Sequence, residues 1–326
     1  MFPALSAWMA NARPDHWLRD LFNGAEPSDS PTSWRRTWLT AFNDIVTALE
    51  EAQPLRLGVV RSDFQKAKTD DDLLIIRAEM VAGAMLANAG VGFDFGRRGV
   101  GPEPDLVLRD ANLAIEIKSR QLDGLRDLER DLEMVLKAAD VGATVVISCV
   151  ERPLVIKQAQ RKDIVEQVMV RITSGHWGTI LVRLDQPWTT PQEIELRIRV
   201  LDQEPMGSHV MVEGGWELSG HLQDAAGAVL QVLQDDQKIA QAKTMPTILL
   251  VDAARVGMSW MPSPQSWAER LAEGLPADSH FVGVGVMIPT LDHKDASLAI
   301  TLRSNAPEQA VKDGLQLAKD LGLTIT

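Results

Sequence analysis

The stretch Gly101–Arg120 reads GPEPDLVLRDANLAIEIKSR and contains two short apolar runs on either side of a polar turn. The runs are Leu106–Leu108 and Leu113–Ile117, and the turn is Arg109–Asn112. Alternating apolar and polar residues over such short runs are typical of β-strands, and a polar turn between two of them is typical of a β-hairpin. The sequence therefore predicts an antiparallel hairpin here, around which the rest of the chain is organised.

The second run of the hairpin divides its side chains between two faces, because residues two apart on a strand point the same way. Ile115 and Ile117 are predicted to point into a core, which places Glu116 and Lys118 together on the opposite face. Asp105 joins them if the partner strand lies alongside. Two carboxylates a few ångströms apart repel each other unless a cation lies between them. Mg²⁺ takes oxygen ligands and often needs one or two carboxylates, so the pattern indicates a magnesium site.

Pro104-Asp105, followed by Glu116-Ile117-Lys118 with eleven positions from aspartate to glutamate, resembles the signature of the PD-(D/E)xK nuclease superfamily. The resemblance implies Mg²⁺- or Mn²⁺-dependent hydrolysis of phosphodiester bonds, chiefly in DNA, with restriction or phage defence as the setting. It also implies that Asp105 and Glu116 bind the metal ion, with the backbone carbonyl of Ile117 as a further ligand. Lys118 would then orient or deprotonate the attacking water and stabilise the pentavalent state.

The family also places a glutamate on a helix before the first core strand, and Glu79 occupies that place on a helix predicted over Asp70–Asn88. A carboxylate among apolar neighbours needs a partner or a metal ion. By resemblance Glu79 is a catalytic residue that supports the bound metal or a second ion; a structural salt bridge to an arginine is the alternative. The neighbours that share its side of the helix are Ile75, Ala82, Gly83 and Leu86.

Five arginines near the hairpin are predicted to contact the nucleic-acid backbone, as basic side chains commonly do. Two lie in the loop GRRGVG before the hairpin, one follows it, and two lie on a helix predicted over Asp123–Asp140. A solvated turn and a salt-bridged helix face are the alternatives for the loop pair and the helix pair. The five are Arg97, Arg98, Arg120, Arg126 and Arg130.

The whole chain is predicted to have an α/β fold: a restriction-endonuclease-like central mixed sheet flanked by helices, with a helical segment before it and an α/β extension after it. The predicted division is a helical segment over 1–66, the nuclease core over 67–200 and the C-terminal α/β region over 201–326. This division follows the family resemblance, which covers roughly Asp70 to Val150.

Several apolar runs after the hairpin predict the remaining elements. Ala143–Val150 is predicted to be a buried strand beside the hairpin, and Thr179–Leu184 a strand that completes the nuclease sheet. Leu222–Gln241 is predicted to be one helix, followed by the strongly apolar strand Thr247–Val251. No phosphate-binding glycine motif and no repeat is recognisable in this region.

The chain of 326 residues carries a net charge of −12 and has a pI near 5.0. Such acidity argues against a protein whose entire surface binds nucleic acid, because phosphate binding depends on positive patches. Residues 97–137 are close to neutral, with eight basic and nine acidic side chains, so bound Mg²⁺ would make the site positive. Acidity elsewhere could limit non-specific DNA binding or mark a surface for a protein partner.

Composition also bears on location and on the competing class of function. The single cysteine, Cys149, excludes an internal disulfide, and the absence of a signal peptide or a long apolar run predicts a cytoplasmic protein that does not bind membranes. The competing hypothesis is a catalytically inert nuclease fold. It would serve as a scaffold or as a subunit of a larger defence complex, binding a protein partner through its C-terminal region or forming a homodimer.

Overall fold

The computed structural model describes most of the chain, and the structural statements below concern that part. No described helix is both long enough and apolar enough to cross a lipid bilayer. The described residues are 2–23, 34–97, 101–119, 124–149, 154, 156–186, 192–202, 209–214, 222–234, 236–253, 263–289 and 296–323.

Helices and strands occur along the whole chain. The helices are α1 (Pro3–Met9), α2 (Leu18–Asn23), α3 (Trp34–Ala52), α4 (Leu57–Lys66), α5 (Asp70–Asn88), α6 (Gly124–Ala139), α7 (Gln158–Thr173), α8 (Leu222–Gln231), α9 (Asp236–Ala242), α10 (Pro264–Gly274) and α11 (Glu308–Asp320). The strands are β1 (Phe93–Phe95), β2 (Leu106–Leu108), β3 (Ala114–Ser119), β4 (Ala143–Cys149), β5 (Gly178–Gln186), β6 (Gln192–Asp202), β7 (His209–Gly214), β8 (Thr247–Asp252), β9 (Gly283–Pro289) and β10 (Ala296–Leu302).

These elements form two compact units whose boundaries differ from the predicted segments 1–66, 67–200 and 201–326. The first unit takes residues from both ends of the chain, and the second consists mainly of the stretch between them. The first is Met1–Arg120, Val229–Ala254 and Pro262–Thr326; the second is Gln121–Ala228 and Arg255–Met261.

The first unit contains a six-stranded sheet in the order β1-β2-β3-β8-β9-β10. The pairs β1–β2, β2–β3 and β9–β10 are antiparallel, and the pairs β3–β8 and β8–β9 are parallel. All six residues of β8 are buried, as expected for a central strand covered on both faces. The mixed sheet and its helices confirm the α/β class.

The predicted hairpin is present, with Leu106 opposite Ile115 and Val107 opposite Ala114. The strand that pairs with the other edge of β3 differs from the prediction: it is β8 rather than the Ala143–Val150 segment. Strand β4, which covers most of that segment, pairs with β6 and β7 in the other sheet. Both β4 and β8 are apolar runs suited to a central position, so local pattern does not distinguish them and the earlier pairing was wrong.

The second unit has its own four-stranded sheet, in the order β5-β6-β4-β7. Strand β5, predicted over Thr179–Leu184 to complete the nuclease sheet, pairs with β6 here instead, over nine residue pairs. The long antiparallel pairing with β6 places β5 at the edge of this second sheet. Helices α6 and α7 supply leucine, isoleucine and valine side chains to a core over this sheet; Leu128, Leu132, Ile164 and Val168 are among the buried residues.

The helix predicted over Leu222–Gln241 is interrupted. Helix α8 is followed by a 3-10 turn at Val232–Gln234, and α9 begins at Asp236. Val232 and Leu233 are both buried. Adjacent residues of a straight α-helix point about 100° apart, so a change of path lets both side chains reach the core. The break also gives α9 its own orientation, which brings it to β3.

Helix α5 precedes the hairpin and covers one face of the sheet. Thr69 caps its N-terminus: the Thr69 hydroxyl accepts from the Asp72 amide at 3.1 Å, and the Asp72 carboxylate accepts from the Thr69 amide at 3.1 Å. This reciprocal arrangement satisfies two amides that the helix leaves unpaired. Ile115 and Ile117 on β3 belong to the same buried cluster as the α5 residues, which confirms their predicted inward direction.

Candidate active site

Asp105 and Glu116 lie next to each other at the end of the hairpin. The Asp105 amide donates to Glu116 Oε2 at 3.2 Å, and the Ile117 amide donates to Asp105 Oδ2 at 2.8 Å. The β2–β3 register, continued by one position, sets Asp105 opposite Glu116. Both residues are buried, with 8 % of Asp105 and 0 % of Glu116 exposed. Each carboxylate is therefore held by a backbone amide of the partner strand region, out of bulk water.

Two further groups of β3 point towards the same place. Lys118 shares the Glu116 face because it follows two positions later, and it is half-buried. The amide and carbonyl of one strand residue point to the same side, and the Ile117 amide bonds Asp105, so the Ile117 carbonyl is directed towards Asp105 as well. The structure thus brings Asp105 and Glu116 together, and the alternation of β3 places Lys118 on the Glu116 side of the strand.

Sequence reasoning missed Lys238, whose Nζ forms an ion pair with Glu116 Oε1. The lysine comes from α9, 122 positions further along the chain, and is 8 % exposed. A fully buried carboxylate is costly unless a counter-charge and hydrogen bonds compensate for lost hydration. Lys238 provides that charge. Nothing in the local sequence marks it, since a single lysine on a short amphipathic helix is ordinarily a surface residue.

The same helix also holds the segment that leads into the hairpin. Gln241 lies three residues after Lys238, and its side-chain amide donates to the Glu103 carbonyl at 3.0 Å. The Glu103 carboxylate accepts from the Arg97 amide at 2.9 Å, and Arg97 Nε lies 3.6 Å from Glu103 Oε1. Helix α9 is therefore attached to both sides of Asp105, through Glu103 before it and Glu116 across from it.

Glu79 occupies a different position from the hairpin pair. It is 8 % exposed, as its apolar neighbours predicted, although Ile75 among them is 44 % exposed. Its side chain lines an open cleft of about 550 Å³ together with Asp63 and Lys66. No group of three or more histidine, cysteine, aspartate or glutamate side chains that could hold a metal ion occurs among the described residues. The structure therefore does not unite Glu79 with Asp105 and Glu116 in one ligand set.

Two further buried charged residues, Arg77 and Asp252, belong to the first unit. Asp252 ends β8 directly opposite Ser119, whose hydroxyl donates to Asp252 Oδ2 at 3.3 Å. Burial lowers the pKa of Arg77 on α5, and the nearby Asp252 carboxylate offsets part of that effect. Cross-strand partners share a face, so Asp252 lies on the Ser119 side, away from Glu116. Asp252 therefore lies on the opposite side of the sheet from Glu116, and its charge acts on Arg77.

The five predicted nucleic-acid contacts are only partly described. Arg97 is exposed and paired with Glu103, beside the acidic pair. Arg130 lies on α6 in the second unit, and its Nη2 is 3.9 Å from Asp127 Oδ1. This contact agrees with the alternative prediction of a salt-bridged helix face. Arg98, Arg120 and the side chain of Arg126 lie outside the described residues.

The chemistry of the donor set fits one hard divalent cation. Mg²⁺ commonly binds through one or two carboxylates and completes its coordination with water and substrate phosphates, and Asp105 and Glu116 supply two. Glu116 Oε1, Glu116 Oε2 and Asp105 Oδ2 already accept one hydrogen bond each, but a carboxylate oxygen has a second lone pair. A metal ion bound to Glu116 would compete with the Lys238 ammonium for that carboxylate.

The chain matches no protein-family model, no curated protein and no solved structure, so its resemblance to the PD-(D/E)xK superfamily rests on the hairpin residues.

Proposed function

We propose that this protein is a Mg²⁺-dependent nuclease of the PD-(D/E)xK type that hydrolyses phosphodiester bonds in DNA. One observation carries the proposal: Asp105 and Glu116 face each other in a buried pair, each held by a backbone amide of the hairpin. Two carboxylates are costly to bury side by side, and a hard divalent cation is a ligand that such a pair can bind. Restriction or phage defence is the setting that the family resemblance suggests.

In this proposal the residues at this end of the hairpin have different roles. Asp105, Glu116 and the Ile117 carbonyl would hold the metal ion. When bound, Mg²⁺ lowers the pKa of a water ligand and offsets negative charge on the phosphate oxygens. Lys118 carries a positive charge and cannot be a ligand, so its place on the Glu116 face suits contact with a phosphate oxygen or with the attacking water.

Substrate binding is the less developed part of the proposal. Arg97 is exposed beside the acidic pair and close to Glu103, so a phosphate could bind there while the glutamate keeps the arginine in place. The overall charge of −12 confines favourable phosphate contacts to such local positions. We therefore expect DNA to approach the hairpin end of the first unit along the segment that contains Arg97.

A second candidate, an inert nuclease-like scaffold, is favoured by a different observation. The Lys238 ammonium already neutralises Glu116, and the Asp105 and Glu116 oxygens accept hydrogen bonds from within the protein. A carboxylate pair satisfied in this way is stable without any metal ion. In such a protein the C-terminal region or a second copy of the chain would provide the binding function.

A plasmid-nicking assay distinguishes the two candidates. The protein would be incubated with supercoiled DNA and Mg²⁺ or Mn²⁺, with and without EDTA. Asp105→Asn removes the charge but keeps an oxygen that can accept from the Ile117 amide, and we expect it to abolish both cleavage and Mn²⁺ binding. Asp110→Asn, at an exposed position in the turn of the same hairpin, should leave cleavage unchanged. Cleavage that persists in Asp105→Asn at the wild-type rate would contradict the proposal.

A further inference from the structure

Lys238 differs from an ordinary surface lysine in burial, in partner and in attachment. Its side chain is 11 % exposed, and that of Glu116 is 0 % exposed. The helix that carries it is fixed to the hairpin by the bond from Gln241 to the Glu103 carbonyl. The oxygen that Lys238 contacts, Glu116 Oε1, belongs to the carboxylate that we propose as a metal ligand.

The charges of the site balance without any ion. Asp105 and Glu116 contribute two negative charges, and Lys118 and Lys238 contribute two positive charges. Addition of a divalent cation would leave a net charge of +2 in a region mostly withdrawn from water, where repulsion between like charges is strong. The cation and the Lys238 ammonium would compete for one carboxylate.

We propose that Lys238 is an internal counter-ion that a divalent metal must displace from Glu116 before the site can bind it; this inference rests on the proposed nuclease function. The displacement involves the side chain rather than the helix, because Gln241 keeps α9 attached to the hairpin. A lysine suits the role, since its ammonium is a compact charge on a flexible four-carbon chain. The protein thereby remains stable with its metal site closed.

The displaced ammonium needs a new anionic partner, and a backbone phosphate of the substrate is the one that arrives with the metal. Metal and nucleic acid should therefore bind with positive coupling, each raising the affinity for the other by the same factor. Lys238 would suppress metal binding in the absence of DNA and contact phosphate in its presence. This arrangement would limit hydrolysis to complexes in which both partners are present.

The test is calorimetric titration of the protein with Mn²⁺ in the absence of nucleic acid. Lys238→Met keeps a side chain of similar length and removes the competing charge, so we expect it to bind Mn²⁺ at least about tenfold more tightly than wild type. Lys243→Met, at an exposed position just beyond α9, is the matched control and should bind as wild type does. Equal affinities for wild type and Lys238→Met would overturn the displacement.

Two further measurements keep the test decisive if Lys238→Met fails to fold. Lys238→Arg retains the positive charge and the ion pair and should bind Mn²⁺ no more tightly than wild type; tighter binding would contradict the role of charge. In wild type, reductive methylation followed by mass spectrometry should label Lys238 slowly and exposed Lys66 quickly. Mn²⁺ should accelerate labelling of Lys238 while Lys66 stays constant, and an unchanged Lys238 rate under saturating Mn²⁺ would overturn the inference.

Failure of the inference and failure of the proposed function give different results. If wild type cleaves DNA and binds Mn²⁺ with the same affinity as Lys238→Met, Lys238 is a structural partner of Glu116 and the nuclease function stands. If neither protein binds Mn²⁺ and wild type does not cleave DNA, the metal site is absent, and both proposals fail together.

Discussion

The Asp105 amide donates to the Glu116 carboxylate at 3.2 Å, so the backbone of one proposed metal ligand positions the side chain of the other. The Asp105 carboxylate in turn accepts from the amide that follows Glu116 in the chain. This exchange makes the separation of the two carboxylates a property of the hairpin rather than of flexible side chains. Such preorganisation is what a site for a small, geometrically demanding cation requires.

The role of Lys118 can be separated from metal binding. Lys118→Met removes a cation from beside the carboxylate pair, so Mn²⁺ affinity measured by calorimetry should stay the same or rise slightly. Cleavage should fall by about 10²–10⁴-fold, the range for loss of a positioned acid–base group. DNA affinity should lose about one unit of salt dependence, corresponding to one phosphate contact. A variant that cuts DNA at the wild-type rate would show that Lys118 is a surface residue.

The proposed role of Glu79 in supporting the metal ion can be tested with glutamine, which has nearly the same shape and no charge. If Glu79 supports the metal, Glu79→Gln should lower the cleavage rate at least about tenfold, equivalent to ~1.4 kcal/mol of barrier. Asp63→Asn changes another carboxylate that lines the same cleft and should leave the rate unchanged. Equal rates for the two variants and wild type would assign Glu79 a structural role.

Arg77 should matter for stability rather than for catalysis. It is 2 % exposed, its guanidinium carbon lies 5.8 Å from the centre of the Trp38 ring, and the nearby buried Asp252 carboxylate offsets part of the lowering of its pKa by burial. Arg77→Met leaves that carboxylate without its counter-charge, so the free energy of unfolding in urea should fall by about 3–5 kcal/mol.

Two further variants provide comparisons for the stability of Arg77→Met. Addition of Asp252→Asn to Arg77→Met should restore part of the loss, because an amide needs no counter-charge. Arg13→Met, which breaks an exposed pair with Asp15, should change the unfolding free energy far less. A double variant no more stable than Arg77→Met alone would show that Arg77 stabilises the fold through packing instead of charge.

Stability should also depend on pH through His16. Its Nε2 lies 2.8 Å from the Phe64 carbonyl, and its Nδ1 accepts from the Leu18 amide at 3.1 Å, an arrangement that needs the neutral ring. Burial lowers the pKa of His16 below its usual value of 6.5. The unfolded chain therefore takes up this proton at a higher pH than the folded chain does, and stability falls as the pH drops below the unfolded pKa.

The pH dependence can be measured as thermal unfolding between about pH 7.5 and 5. His16→Asn keeps an oxygen able to accept from the Leu18 amide but does not titrate, so its loss of stability over this range should be smaller than that of wild type. The opposite order, with the variant more sensitive to acid, would contradict a neutral buried His16.

Local pattern was sufficient for the hairpin, for the directions of its side chains and for helix α5, although not for the interruption between α8 and α9. The period of two in β3 separates Ile115 and Ile117 from Glu116, and the structure keeps that separation. Helix α5 spans Asp70–Asn88, as predicted. These features depend on residues that are close together in the sequence, so the sequence alone contains the physical information that determines them.

Tertiary structure decided which distant elements meet the hairpin. Strands β4 and β8 are both apolar runs, and the choice of β8 as the neighbour of β3 depends on how whole helices and sheets pack. Lys238 reaches Glu116 from 122 positions away, and the Asp252 carboxylate on β8 acts on Arg77, which lies far from it in the sequence. Alternation along the chain specifies which way a charged side chain points, whereas the partner that neutralises it depends on long-range packing that no local period encodes.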